Sequence, residues 1–277
     1  MKLSKIMVYQ DDNAHCVNWT TYGAHLAQTC GARLDGFFIA PDSKHLGMID
    51  ETLRKAISQT IDQSTLPSQI AKKRFGETMA EFDVKTNFTI AHEEASVALR
   101  REARFYNLVV TGQPDTAAND MQDEKGALSH LLIGSGRPVI VVPRDHKKQP
   151  DFSRISIAWD GGRESTRAFF DALPFMSEDT VVEVVTIKSE DHSRPFSIAR
   201  PEEVTKMLAD HGITATHRIL EAKGKRSGHL ILESATDHKS SLIVMGAYGH
   251  SRLRELVLGS ATRAIIMNTD IPVFMSH

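Results

Sequence analysis

The sequence predicts an α/β protein built from two tandem copies of one unit, each a parallel, doubly wound sheet with helices on both faces. Three observations lead there. The chain repeats itself: Ser4–Asp11 lies over Ser153–Asp160, Leu108–Gly112 over Leu242–Gly246, and Arg137–Val142 over Ile271–Met275. The interval from Gly112 to Pro138 equals that from Gly246 to Pro272, 26 residues without a gap. Strand-like and helix-length runs alternate along each copy, the pattern of a parallel sheet with right-handed crossovers.

In the first copy, the run Ser4–Asp11 alternates and finishes on an aspartate, and a helical region carrying Cys16 and Cys30 follows. The middle of this copy is long: from about Met48 to Glu81 two helical patterns flank Pro67, which predicts an elaborated helical region. Leu108–Gly112 and Arg137–Val142 supply the last two strands. The polar stretch His146–Asp151, with Pro150 near its end, reads as a linker, dividing the chain into units 1–146 and 152–277. In the second copy, strands are expected at 154–160, 181–187, 214–221, 241–246 and 271–275. Helices are expected near 163–173, 200–211, 227–238 and 260–268.

Composition excludes several classes. Of 277 residues, 25% are charged and 41% hydrophobic, with a net charge of −2, which offers no broad attraction for nucleic acid or an anionic membrane. No apolar run approaches the roughly 20 residues that span a bilayer. The opening Met1–Val8 passes straight into a strand, without a long apolar segment and cleavage site, so a cytoplasmic location is expected. Two cysteines without C-x-x-C spacing point to reduced, structural thiols. The 13 histidines are scattered and lack zinc-site spacing.

The most informative stretch is Gly246–Ser260. It follows the strand Ser241–Met245 and precedes the helical run Ala261–Asn268, with the spacing Gly-x2-Gly-x9-Gly-Ser. This is neither a Walker A loop nor G-x-G-x-x-G. Strand, glycine-rich loop and helix start are nonetheless the order in which backbone N–H groups converge on an anion. Gly246 lets the chain leave a buried strand, and Gly249 removes a Cβ where a sugar or phosphate would lie. Gly259 and Ser260 open the helix, and Thr262 adds a hydroxyl to its first turn. Asp160 ends the first strand beside Gly161 and Gly162. Its carboxylate can accept from an adenine or a ribose hydroxyl, or it can cap the helix that begins near Arg163.

On the loop Gly-Ala-Tyr-Gly-His-Ser-Arg-Leu-Arg-Glu-Leu-Val-Leu-Gly-Ser and the internal duplication, the chain resembles the universal stress protein family, tandem two-domain type. The resemblance covers nearly all of it and implies two Rossmann-like, adenine nucleotide alpha hydrolase-like domains, each with a five-stranded sheet. It also implies that the strands at 138–143 and 271–275 meet and form an intrachain pseudo-dimer, with a homodimer and an unidentified protein partner as further associations. It implies ATP or AMP, with or without Mg, as the ligand of the second copy. Ala158, Asp160, Gly161 and Ile187 would then line base and sugar; Met245 and Gly246 would border adenine or ribose. Tyr248, Gly249 and His250 would meet ribose and phosphates, and Gly259, Ser260, Ala261 and Thr262 the phosphates. Arg252 and Arg254 fit a solvated loop as well as a phosphate contact.

The first copy departs from this pattern. Opposite Gly246, Gly249, Gly259 and Ser260 it carries Gly112, Asp115, Lys125 and Gly126, and Asp115, Asp120, Asp123 and Glu124 would repel a polyphosphate. Loss of ATP binding is expected there. No nucleophile–base arrangement, paired carboxylates or H-E-x-x-H spacing occurs, and Leu253 spoils the one partial G-x-S-x-G match. The second copy therefore reads as a binding device for a stress-response or regulatory protein. A slow ATP hydrolase and a ligand-free adaptor are the alternatives.

Overall fold

The computed structural model describes residues 3–11, 13–40, 66–92, 94–114, 123–188, 199–247 and 260–277. In chain order the N-terminal half runs β1 (Lys5–Gln10), α1 (Cys16–Cys30), β2 (Arg33–Ile39), α2 (Leu66–Met79), β3 (Thr86–Ala91), α3 (Ala95–Ala103), β4 (Leu108–Gly112), α4 (Asp123–Gly134) and β5 (Val139–Val142). The C-terminal half runs β6 (Arg154–Ala158), α5 (Arg163–Ala172), a 3₁₀ turn (Leu173–Phe175), β7 (Val181–Lys188), α6 (Pro201–Asp210), β8 (Thr214–Glu221), α7 (Ser227–Asp237), β9 (Leu242–Gly246), α8 (Ser260–Asn268) and β10 (Val273–Ser276).

The ten strands form one sheet in the order β3-β2-β1-β4-β5-β10-β9-β6-β7-β8. Pairing within each half is parallel, and β5 meets β10 antiparallel, with Val141 opposite Val273, Ile140 opposite Phe274 and Val139 opposite Met275. Central strands are apolar throughout because helices cover both of their faces: β5 reads VIVV and β9 LIVM, and all eight residues are buried. The edges differ. β3 and β8 expose much of their length and carry Thr, Asn, His, Arg and Glu, which blunts an open edge.

Alternation along the strands splits the core into two layers. Ile6, Val8, Leu242 and Val244 face one layer with Trp19 and Leu26 of α1, Phe75 and Met79 of α2, Phe169 of α5, and Val204 and Leu208 of α6. Met7, Ile243 and Met245 face the other with Leu99 of α3, Leu131 and Leu132 of α4, Ile231 of α7, and Ile265 and Ile266 of α8. Each layer draws residues from both halves.

The duplication extends to single hydrogen bonds. Val109 N–H donates to the Pro138 carbonyl, as Ile243 N–H does to Pro272, both at 3.0 Å. Arg137 N–H donates to Ser135 Oγ at 3.1 Å, and its counterpart Ile271 N–H to Thr269 Oγ1 at 2.9 Å. The long middle of the first copy contributes α2, with Pro67 as its second residue, where a missing N–H costs little. The first of its two expected helical patterns lies outside the described residues. The run expected to be strand over 154–160 yields β6 only to Ala158, because Gly161 takes a left-handed φ of 73° and turns the chain into α5.

Candidate functional site

In each half the strand order reverses between the first and fourth strands, β1 and β4 or β6 and β9. A doubly wound sheet opens a crevice beyond the carboxyl ends of such a pair. In the C-terminal half Ala158, the last residue of β6, stands in register with Met245 of β9. Gly246 follows, and its missing side chain is a packing requirement. A Cβ there would lie 2.5 Å from Ser165 N and 2.6 Å from Glu164 C, so β9 ends against the first turn of α5.

Asp160 is already engaged in that turn. Its Oδ1 accepts from Gly162 N–H at 2.8 Å and from the Ser165 hydroxyl at 2.6 Å. The carboxylate thus closes a turn just before α5 without capping a backbone N–H of its first turn, and this fixes Asp160 at the lip of the crevice. Glu164, buried beside Gly246, pairs with exposed Arg163 at 3.1 Å.

The remaining expected residues fall as follows. Gly161 makes the left-handed turn after Asp160, and Ile187 lies near the end of β7, half-buried on the α7–α8 side with Ala158. Ser260 is the first residue of α8; Ala261 is half-buried and Thr262 buried in its first turn. Gly228 of α7 packs on this turn, since a Cβ would come within 2.9 Å of the Ala261 carbonyl. Tyr248, Gly249, His250 and Gly259 lie outside the described residues, as do Arg252 and Arg254. No group of three or more His, Cys, Asp or Glu able to hold a metal occurs among the described residues.

The N-terminal crevice is built from the same positions with different side chains. It is lined by Tyr9, Asp11, Asn13, Thr111, Gly112 and Gln113, among others. By the duplication Tyr9 occupies the place of Ala158, so a phenol ring stands where the other half has a methyl group. Asp11 repeats the turn made by Asp160, its Oδ1 accepting from Asn13 N–H at 3.0 Å. At the position of Ser165 stands Cys16, whose thiol donates instead to Gln10 Oε1 at 3.2 Å. Burial first, then the Asp11 carboxylate, push this thiol up to about 12. Gly112 is filled from outside by Trp19, whose ring lies 2.5 Å from where a Cβ would be. The counterparts of Gly259 and Ser260, Lys125 and Gly126, lie inside α4. Asp115 and Asp120 are outside the described residues. Sequence reasoning passed over Tyr9, although Tyr9 and Ala158 already face each other in the aligned first strands.

Known proteins agree with this reading of the fold. Residues 151–277 match the profile of the Universal stress protein family. The universal stress protein Slr1230 of Synechocystis is 26% identical over 170 residues, which are 61% of this chain and 57% of that relative. Among solved structures, a universal stress protein from Archaeoglobus fulgidus superposes with a TM-score of 0.68 at 15% identity, covering 98% of this chain and 94% of its own. A functionally unknown protein from Pseudomonas aeruginosa PAO1 superposes at 0.58 with 12% identity, covering 98% and 92%. Residues 151–277, whose strand order and strand-end glycine have just been described, thus match the universal stress protein family.

Proposed function

We propose that the C-terminal half, residues 152–277, binds one adenine nucleotide, ATP or AMP, and that occupancy sets how the chain engages a partner as a stress-response or protective module. The observation that carries this reading is the contrast between the two crevices. Beyond β6 and β9 stand a methyl group at Ala158, a glycine at 246 and a carboxylate held at the first turn of α5. Beyond β1 and β4 the ring of Tyr9 lines the crevice at the place of Ala158. Aimed from strand ends at the switch point, helix starts favour anionic oxygens. Residues 1–146 act in this reading as the structural partner, the two domains pairing through β5 and β10. Any Mg would travel with ATP phosphates.

The test is to purify the chain natively, denature it and identify released nucleotides by mass spectrometry. One adenine nucleotide per chain is expected, lost in Gly259→Val. Two per chain, or none at millimolar AMP and ATP, would overturn the reading. Sustained turnover stimulated by an acceptor would replace a binding protein with an enzyme.

A further inference from the structure

Gln113 follows β4 in the N-terminal half, yet its side chain works on the C-terminal half. Its Nε2 donates to the Ile266 carbonyl at 2.6 Å and makes a longer 3.5 Å contact with the Thr269 carbonyl. Its Oε1 accepts from Arg144 N–H at 3.3 Å. All three partners agree on one orientation of the amide: nitrogen towards carbonyls, oxygen towards an N–H. Ile266 is among the last four residues of α8, whose carbonyls have no partner within the helix. One half thus caps a helix of the other.

The duplication supplies a control within the molecule. The counterpart of Gln113 is Ala247, and the two backbones do the same thing: Gln113 N–H donates to Val142 O at 2.9 Å, Ala247 N–H to Ser276 O at 2.8 Å. Alanine has no amide to send across, so this grip runs one way, from the first half onto the second. The helix it grips is the one whose first turn carries Ser260, Ala261 and Thr262. That turn is about 10 Å from the gripped end, at 1.5 Å per residue along a short helix.

We propose that Gln113 is a positioning residue for the nucleotide site: by holding the C-terminal end of α8 it sets the stance of the helix start, so nucleotide affinity in the second half depends on a side chain in the first. This rests on the nucleotide reading above. A helix already held in place leaves less ordering for the ligand to impose, which appears as tighter binding.

The experiment is calorimetric titration of the full chain with AMP, alongside amide hydrogen exchange over 260–270 and a thermal melt. Gln113→Ala is expected to weaken AMP five- to tenfold, within the usual span of coupling between sites, and to speed exchange in α8. Gln113→Glu should weaken it further, because a carboxylate would face two carbonyl oxygens at the negative end of a helix. Gln113→Lys keeps a donor at that end and should return affinity to within twofold of the parent. Equal affinity and equal α8 exchange in Gln113→Ala and the parent would overturn the proposal. So would loss of affinity in all three variants alike, which would mark a merely structural position. If the parent binds no AMP, the nucleotide reading has failed; unchanged exchange in Gln113→Ala would then show that the grip on α8 is absent too.

Discussion

Gly246→Ala tests the central contact of the site. The new methyl carbon would sit 2.5 Å from Ser165 N, 2.6 Å from Glu164 C and 2.8 Å from Glu164 Cβ. Ordinary contact is about 3.5 Å, so roughly 1 Å must be found, and two of the three obstacles are backbone. The first turn of α5 must move away from β9. Overpacking of this kind costs about 1–3 kcal/mol. The Asp160 carboxylate is tied to that turn through Gly162 N–H and the Ser165 hydroxyl, so AMP affinity should fall at least tenfold as well. The comparison is Gly76→Ala on the exposed side of α2, where a Cβ would meet nothing within 4 Å. There alanine should raise stability by about 0.5–1 kcal/mol, because glycine is a poor helix former. Urea unfolding measures both. Opposite signs are expected; a Gly246→Ala protein as stable as the parent would refute the packing described for β9 and α5.

Further expectations concern the two halves separately. Ala158→Tyr copies the side chain of the first half into the second and should abolish AMP binding by calorimetry while the melt moves by only a few degrees. Thr20→Val removes the acceptor that Gln10 Nε2 reaches at 2.8 Å inside the core, taking that partner from a buried amide nitrogen, and should cost about 1–3 kcal/mol in urea unfolding. A thiol reagent at pH 8 should label half-buried Cys30 slowly and Cys16 only after unfolding. The unfolded Cys16 thiol titrates near 9 and the folded one near 12, so the folded state holds more protons between them. The Cys16 contribution should therefore be level below pH 9 and decline as pH rises beyond it, in the direction that buried Tyr22 and Tyr106 also contribute. His146 has the opposite sign. Burial pushes its imidazole below the usual 6.5, with Lys148 adding to the fall and the backbone of Asp270 opposing it. Its contribution is present above pH 6.5 and lost as pH falls, so His146→Gln should flatten the acid limb of a stability–pH curve.

The sheet was legible because central parallel strands must be apolar from end to end, and runs such as Val139–Val142 and Leu242–Met245 admit few other readings. Helix limits followed from the same logic, within one residue for α5, α6 and α7. The pairing of β5 with β10 was not carried by any single residue; it came from family resemblance and from the apolar character of both terminal strands. At the site, the glycines announced a backbone approach, but what approaches them did not show. Gly246 meets a helix start, and Gly112 meets the Trp19 ring; only the fold separates those cases. Tyr9 could have been read from the alignment of the two first strands. The reach of Gln113 across to α8 could not, since nothing in local sequence marks a side chain that bonds 153 positions away.

The seam between β5 and β10 is short: three register pairs, every one of them buried. With both strands on one polypeptide, β5 and β10 meet at an effective concentration on the millimolar scale, which favours their pairing. Fusion also frees the copies from identity. A symmetric pair must change both partners with every mutation, whereas here one half carries Tyr9 where the other has Ala158.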